Sequence, residues 1–307
     1  MKKILVPVDF TSYSENAIKM AGYFAGVKGM EVKLLYILEE PSKSRLQIPF
    51  INYGKEQPVD YMPELEQTAR EHLDKFADMY LANVPRFSSE VRISKTGISS
   101  EILREECDVI IMGRRRPENR EPVWSGAIAE KIVRLSAAPV ITVGELPENY
   151  SINNIAFASD FNEEEVKPIL LRILDLAQIF NADLHLVYVQ LNRNYLDPAT
   201  TRHKLQEIMG KLDLQNFDLN IYVSDSAEEG ITRYTDEYHP DLLVMCTHGR
   251  TGISAFFNGS ISESVSAYGS VPVLTYNISK KNFNRSTQPI ARTIIRERSR
   301  KEPKNNL

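Results

Sequence analysis

An internal repeat constrains this 307-residue chain more than any single motif does. Residues 4–10, Ile-Leu-Val-Pro-Val-Asp-Phe, return at 155–161 as Ile-Ala-Phe-Ala-Ser-Asp-Phe, an offset of 151. Residues 31–37, Glu-Val-Lys-Leu-Leu-Tyr-Ile, return at 183–189 as Asp-Leu-His-Leu-Val-Tyr-Val, an offset of 152. Later, Asp-Val-Ile-Ile-Met at 108–112 matches Asp-Leu-Leu-Val-Met at 241–245, and Ala-Pro-Val-Ile-Thr at 138–142 matches Val-Pro-Val-Leu-Thr at 271–275, both at an offset of 133. A repeat this long means two copies of one domain, and the chain length suits two domains of roughly 150 residues. The fall from 152 to 133 gives the first copy 19 extra residues, which the Pro-, Ser- and Tyr-rich stretch at 41–63 accommodates as an elaborated loop.

Each copy alternates short, almost continuous apolar runs with longer segments of helical period. Strands buried on both faces of a parallel sheet have this appearance. In the first copy the pattern predicts strands at 3–8, 32–37, 90–94, 109–112 and 140–143, with helices at 14–26, 63–82, 99–106 and 127–136. In the second it predicts strands at 154–158, 184–189, 219–223, 242–246 and 273–276, with helices at 164–180, 199–212, 227–238 and 260–268. Right-handed crossovers turn such a series into two tandem doubly wound α/β domains with Rossmann-like parallel sheets. The expected limits are 1–146, 147–278 and a basic disordered tail at 279–307, with the linker at 144–153.

Charge and composition narrow the function classes. Apolar residues make up 42% and charged residues 25% of the chain, ordinary values for a globular protein. The formal net charge of −4 hides an asymmetry. Residues 279–307 carry nine basic side chains against Glu297 and Glu302, which leaves −11 on the preceding body. A body of that sign is a poor general partner for nucleic acid. Cys107 and Cys246 form neither a CxxC pair nor a disulfide framework, which fits a reducing, cytoplasmic setting. Asp9 interrupts the first apolar run too early for a secretion signal, and no run reaches the ~18 apolar residues of a membrane span.

Open parallel sheets bind ligands beyond the carboxyl ends of their strands. In the second copy this puts attention on Asp160, after the first strand, and on residues 246–260, after the fourth. Gly249, Gly252 and Gly259 allow backbone to approach a ligand closely, and Gly259 with Ser260 opens the last predicted helix. Free N–H groups at a helix start favour an anion, and Ser260 and Ser262 add hydroxyl donors. His72, His185, His203 and His239 lack metal-ligand spacing, and no HExxH or Cys–His cluster is present. No metal site and no catalytic residue are therefore assigned. Trp124, the single tryptophan, is expected to pack rather than stack on a base.

These residues resemble the universal stress protein family in tandem form. The resemblance spans nearly all of residues 1–278. It rests on Val-Pro-Val-Asp-Phe at 6–10, on Val-Met-Cys-Thr-His-Gly-Arg-Thr-Gly at 244–252 and on both Pro-Val steps. The family's nucleotide-binding branch carries Gly, two residues, Gly, nine residues, then Gly followed by Ser or Thr. The second copy reads Cys246, two residues, Gly249, nine residues beginning with Arg250, then Gly259-Ser260, so only the first glycine is replaced. The first copy reads Gly113, two residues, Arg116, nine residues, then Gly126-Ala127, which loses two of the four positions and adds Glu118 and Glu121. Arg114, Arg115, Arg116 and Arg120 are left as a possible electrostatic lure for an anion.

The resemblance implies a fold like that of the adenine nucleotide α-hydrolases and, in the second domain, a site for ATP or AMP. Any Mg2+ would travel with the phosphates. By the same resemblance Asp160 meets the adenosine, backbone near Val187 flanks the adenine, Gly249 meets ribose and phosphate, and Gly259, Ser260 and Ile261 cradle the phosphate chain. The expected action is binding as a stress-response regulator, with at most slow hydrolysis, since no general base or Walker lysine is in sight. The first domain is expected to pair with the second much as two chains pair in a homodimer, burying 140–143 and 273–276, and two such chains to be capable of dimerising. The competing reading is a nucleotide-independent interaction scaffold.

Overall fold

The computed structural model describes residues 2–40, 62–114, 126–161, 163–194, 196–211, 217–247 and 271–277. Residues 41–61 of the loop expected at 41–63, Trp124, the helix expected at 260–268 and the basic tail lie outside them.

The first compact unit is built on β1 (Lys3–Val8), β2 (Glu31–Glu39), β3 (Phe87–Ser94), β4 (Val109–Gly113) and β5 (Val140–Val143), joined through α1 (Ser12–Lys28), α2 (Met62–Leu81), α3 (Ile98–Arg104) and α4 (Gly126–Leu135). The strands run parallel in the order β3-β2-β1-β4-β5. The second unit repeats the design with β6 (Asn154–Ala158), α5 (Glu163–Phe180), β7 (Asp183–Leu191), α6 (Pro198–Lys211), β8 (Asp218–Ser224), α7 (Ala227–Tyr238) and β9 (Leu242–Thr247). Its parallel order is β9-β6-β7-β8. The cores follow from the apolar runs: Ile4, Leu5, Val6 and Val8 of β1, and Ile155, Ala156 and Phe157 of β6, are fully buried. These are the doubly wound parallel sheets that the βα pattern predicts.

The compact units and the sequence repeats divide the chain differently. β10 (Val273–Asn277) ends the second repeat in sequence, yet its contacts place it in the first unit. It pairs antiparallel with β5 through Thr142 to Val273, Ile141 to Leu274 and Val140 to Thr275. Ile141 and Leu274 are equivalent positions of the repeat, so the register is symmetric about that pair. Val140–Val143 and Val273–Thr275 are buried as expected, and Tyr276 is half-buried. Asn277 reinforces the ladder by donating to the carbonyls of Arg134 (2.9 Å) and Ser136 (3.4 Å). Arg114 belongs to the same seam. It is buried, its N–H donates to the Val143 carbonyl (2.7 Å) and its guanidinium donates to the Val271 carbonyl (3.2 Å). Arg114, one of the arginines read as an electrostatic lure, is thus buried in this seam rather than exposed.

Gly113 ends β4 against the first turn of α1. A Cβ there would lie 2.6 Å from the Tyr13 carbonyl carbon and 2.8 Å from the Ser14 nitrogen. Backbone cannot yield as a side-chain tip can, so in this repeat the glycine serves helix-on-strand packing. Gly113→Ala is expected to destabilise the protein by about 1–3 kcal/mol in denaturant unfolding, as overpacking does.

A charged network ties β2, β3 and the end of α3 together. Lys33 reaches Glu90 (2.6 Å) and Glu105 (2.8 Å), and Arg92 reaches Glu90 and Glu105 (both 2.6 Å). Burial pushes the Glu105 carboxyl up, but hydrogen bonds from Lys33 and Arg92 outweigh it and hold the group below its ordinary value of 4.5; Glu90 is lowered for the same reasons. A carboxylate with a depressed folded-state value stabilises the fold above that ordinary value and loses the contribution as the pH falls through the folded value. Glu105→Gln should cost about 1–3 kcal/mol at neutral pH. Unfolding curves of wild type and variant should converge as the pH drops below about 4.5.

Candidate functional site

In both repeats the central strand ends in Asp-Phe, with the phenylalanine in a left-handed conformation: φ is 59° at Phe10 and 54° at Phe161. Non-glycine residues rarely adopt this region, and here it reverses the chain sharply between strand and helix. The same turn leads to different environments. In the first repeat Thr11 caps α1 and donates to Asp9 through its hydroxyl (2.6 Å) and its N–H (3.2 Å). The Phe10 ring packs across the strand ends, 4.5 Å from the Tyr36 ring, 5.5 Å from Phe76 and 5.7 Å from His72 of α2. Asp9 is half-buried.

In the second repeat the Phe161 ring is buried in the core, edge-on to Phe157 at 5.8 Å. Its N–H donates to the Ser159 hydroxyl (3.0 Å), and the Ser159 N–H donates to the Val187 carbonyl (3.2 Å). With the ring turned inward, Asp160 is exposed. Tyr188 stands half-buried on β7, its phenol raised first by burial and then by the charge of Asp160. Tyr36 and Asp9 are coupled in the same way, so the Asp–Tyr pairing is a constant of the repeat.

Of the sequence-predicted site residues, Asp160, Val187 and Cys246 are described. β9 pairs with β6 through Ile155–Leu242 to Phe157–Val244, and half-buried Cys246 follows two residues later near the end of β9. Val187 is in the neighbouring strand, but not at its end. It is fully buried in mid-strand, paired with Ala158 and Asn220, while β7 runs on to Leu191. The extension is held by buried Gln190, which donates to the Leu196 carbonyl (2.7 Å) and accepts from the Thr201 hydroxyl (2.7 Å). Gly249, Arg250, Gly252, Gly259, Ser260, Ile261 and Ser262 lie outside the described residues. Tyr188 and Ser159 are additions that sequence reasoning missed, although Tyr36 and Tyr188 stood at matching positions of the repeat.

Chemically, the strand ends of the second repeat offer an exposed carboxylate for a hydroxyl or amine donor, a phenol and a small side chain. No group of three His, Cys, Asp or Glu side chains suited to a metal ion occurs among the described residues. No helix among them is long and apolar enough to cross a membrane.

The profile of the universal stress protein family matches the chain twice, over residues 1–144 and 151–277. Universal stress protein Slr1230 of Synechocystis sp. is 26% identical over 298 residues, covering 90% of this chain and 100% of its own length. Universal stress protein MJ0577 of Methanocaldococcus jannaschii is 27% identical over 152 residues, 46% of this chain and 94% of its own. Among solved structures, a universal stress protein from Archaeoglobus fulgidus superposes with a TM-score of 0.68 at 18% identity, covering 90% of this chain and 98% of its own. With the profile matched in both repeats, across parallel sheets that end in the same Asp-Phe turn, this chain belongs to the universal stress protein family.

Proposed function

We propose that this universal stress protein binds an adenine nucleotide, ATP or AMP, at the carboxyl end of the second repeat's sheet, and that occupancy rather than turnover is its output. The observation that supports this reading most is the contrast between the two Asp-Phe turns. Asp9 is half-buried next to the Phe10 ring that packs on Tyr36, whereas Asp160 is exposed, with its charge acting on Tyr188. The sequence that follows β9 keeps Gly249 and Gly259-Ser260 at the spacing that cradles phosphates, while the first repeat has Arg116 and Ala127 instead. In this reading Asp160 accepts from ribose or base, Gly249, Arg250 and Gly252 line the approach, and Gly259, Ser260, Ile261 and Ser262 present donors to the phosphates. Mg2+ would be held through phosphate oxygens. The first repeat, 1–146, serves as the structural member, and 147–278 as the binding domain. At most slow hydrolysis is expected, as the sequence offers neither a general base fixed by local pattern nor a Walker lysine.

Titration calorimetry of the full chain with ATP, AMP and cyclic AMP tests this reading. Wild type should bind at least one of them. Asp160→Ala should weaken binding by about tenfold or more, the worth of a charged hydrogen bond. Gly259→Asp should abolish it through repulsion of phosphate. Asp9→Ala should leave affinity within about twofold. Absence of heat with every nucleotide would leave the scaffold reading in its place.

A further inference from the structure

A second opening in the second unit lies at the other end of the sheet, where β7 and β8 begin. It is a cavity of ≈ 480 Å³ lined by His185, Arg202, Gln206, Asp218, Asn220 and Tyr238, with Phe217 and Leu219 as its apolar floor. This volume is within the range of small-molecule sites, and the lining sets several polar side chains beside a smaller apolar surface.

Two polar groups meet at the cavity. His185 and Asp218 are register partners on β7 and β8, and the His185 Nδ1 stands 4.0 Å from an Asp218 carboxylate oxygen. That separation is too long for a hydrogen bond. The Nδ1 is buried with no hydrogen-bond partner, and burying an imidazole nitrogen unpaired is costly. An ammonium nitrogen bonds carboxylates at about 2.7–2.9 Å, so one placed between the two groups can reach both. Tyr238 supplies an aromatic face beside them, held by stacking on Tyr234 at 4.9 Å. Across the cavity Arg202 of α6 is exposed, and no described carboxylate pairs with it. Its planar fork suits a carboxylate.

The first repeat shows how differently the same place can be used. Lys33 occupies the position of His185 and Glu90 that of Asn220, and there the lysine ammonium is matched internally by Glu90 and Glu105. In the second repeat an imidazole replaces that ammonium, Asn220 replaces Glu90, and the one carboxylate, Asp218, stands where the first repeat has Ser88.

We infer that this cavity binds a small zwitterion of amino-acid to dipeptide size, its ammonium held by His185 Nδ1 and Asp218, its carboxylate by Arg202, and an apolar side chain by Phe217, Leu219 and Tyr238. The site is separate from the strand ends that carry Asp160 and does not rest on nucleotide binding.

The test is calorimetry on the full chain with L-phenylalanine and glycyl-L-phenylalanine, beside N-acetyl-L-phenylalanine and L-phenylalaninamide. One or both unblocked compounds should bind, and blocking either end should weaken binding by about tenfold or more. Asp218→Asn and Arg202→Gln alter exposed side chains, so the fold should persist; each should weaken the unblocked ligand by about tenfold or more and leave thermal unfolding unchanged. Binding of neither unblocked compound, equal binding of the blocked forms, or affinities indifferent to both substitutions would overturn the proposal.

Discussion

A parallel sheet covered by helices on both faces has nothing but its strand ends left for chemistry. The backbone of every interior strand is consumed by its neighbours, and the side chains of β1 and β6 are consumed by the core. What a repeat of this design can bind is therefore decided by a few residues where the chain leaves the sheet. In both halves these are an aspartate and a phenylalanine in a turn that few residues tolerate.

The two halves show how little sequence change separates a half-buried aspartate from an exposed one. Asp-Phe-Thr becomes Asp-Phe-Asn, and the ring that lies over Tyr36 in one half joins the core in the other. The backbone reversal is common to both, so the difference is in where the aromatic side chain finds its partners. α2 offers the first repeat Phe76 and His72, whereas Phe157 receives Phe161 from below. The opposite edge of the sheet has diverged in parallel: salt bridges fill it around Lys33, and tyrosines surround His185.

Much of the fold was legible because both periodicities are strong. β1, β5, β6 and α7 fall where the apolar pattern places them, since each is bounded by a turn residue or a cap. β7 extends further than its apolar run because Gln190 is a polar residue whose amide is satisfied at a buried position, which a hydropathy pattern reads as an end. β3 begins earlier, at Phe87, as an edge strand in which Ser88 and Ser89 carry no apolar signal. Of the site, Asp160 and Cys246 were legible from their places after β6 and β9. The coupling of Asp160 to Tyr188 was not, because it joins residues of neighbouring strands, and Arg114 read as a surface charge because its acceptor, Val271, is 157 residues away. Long-range pairing is what local pattern omits.

The antiparallel ladder between β5 and β10 has a consequence for the integrity of the two halves. Each repeat looks self-sufficient in sequence, yet the first sheet is finished by a strand made more than a hundred residues later. A fragment stopped after residue 146 would leave β5 as a bare apolar rim with unanswered N–H and C=O groups, the kind of rim that recruits strands from other molecules. Duplication has thus left a chain whose parts are copies but whose first half is safe in water only when the second has been synthesised.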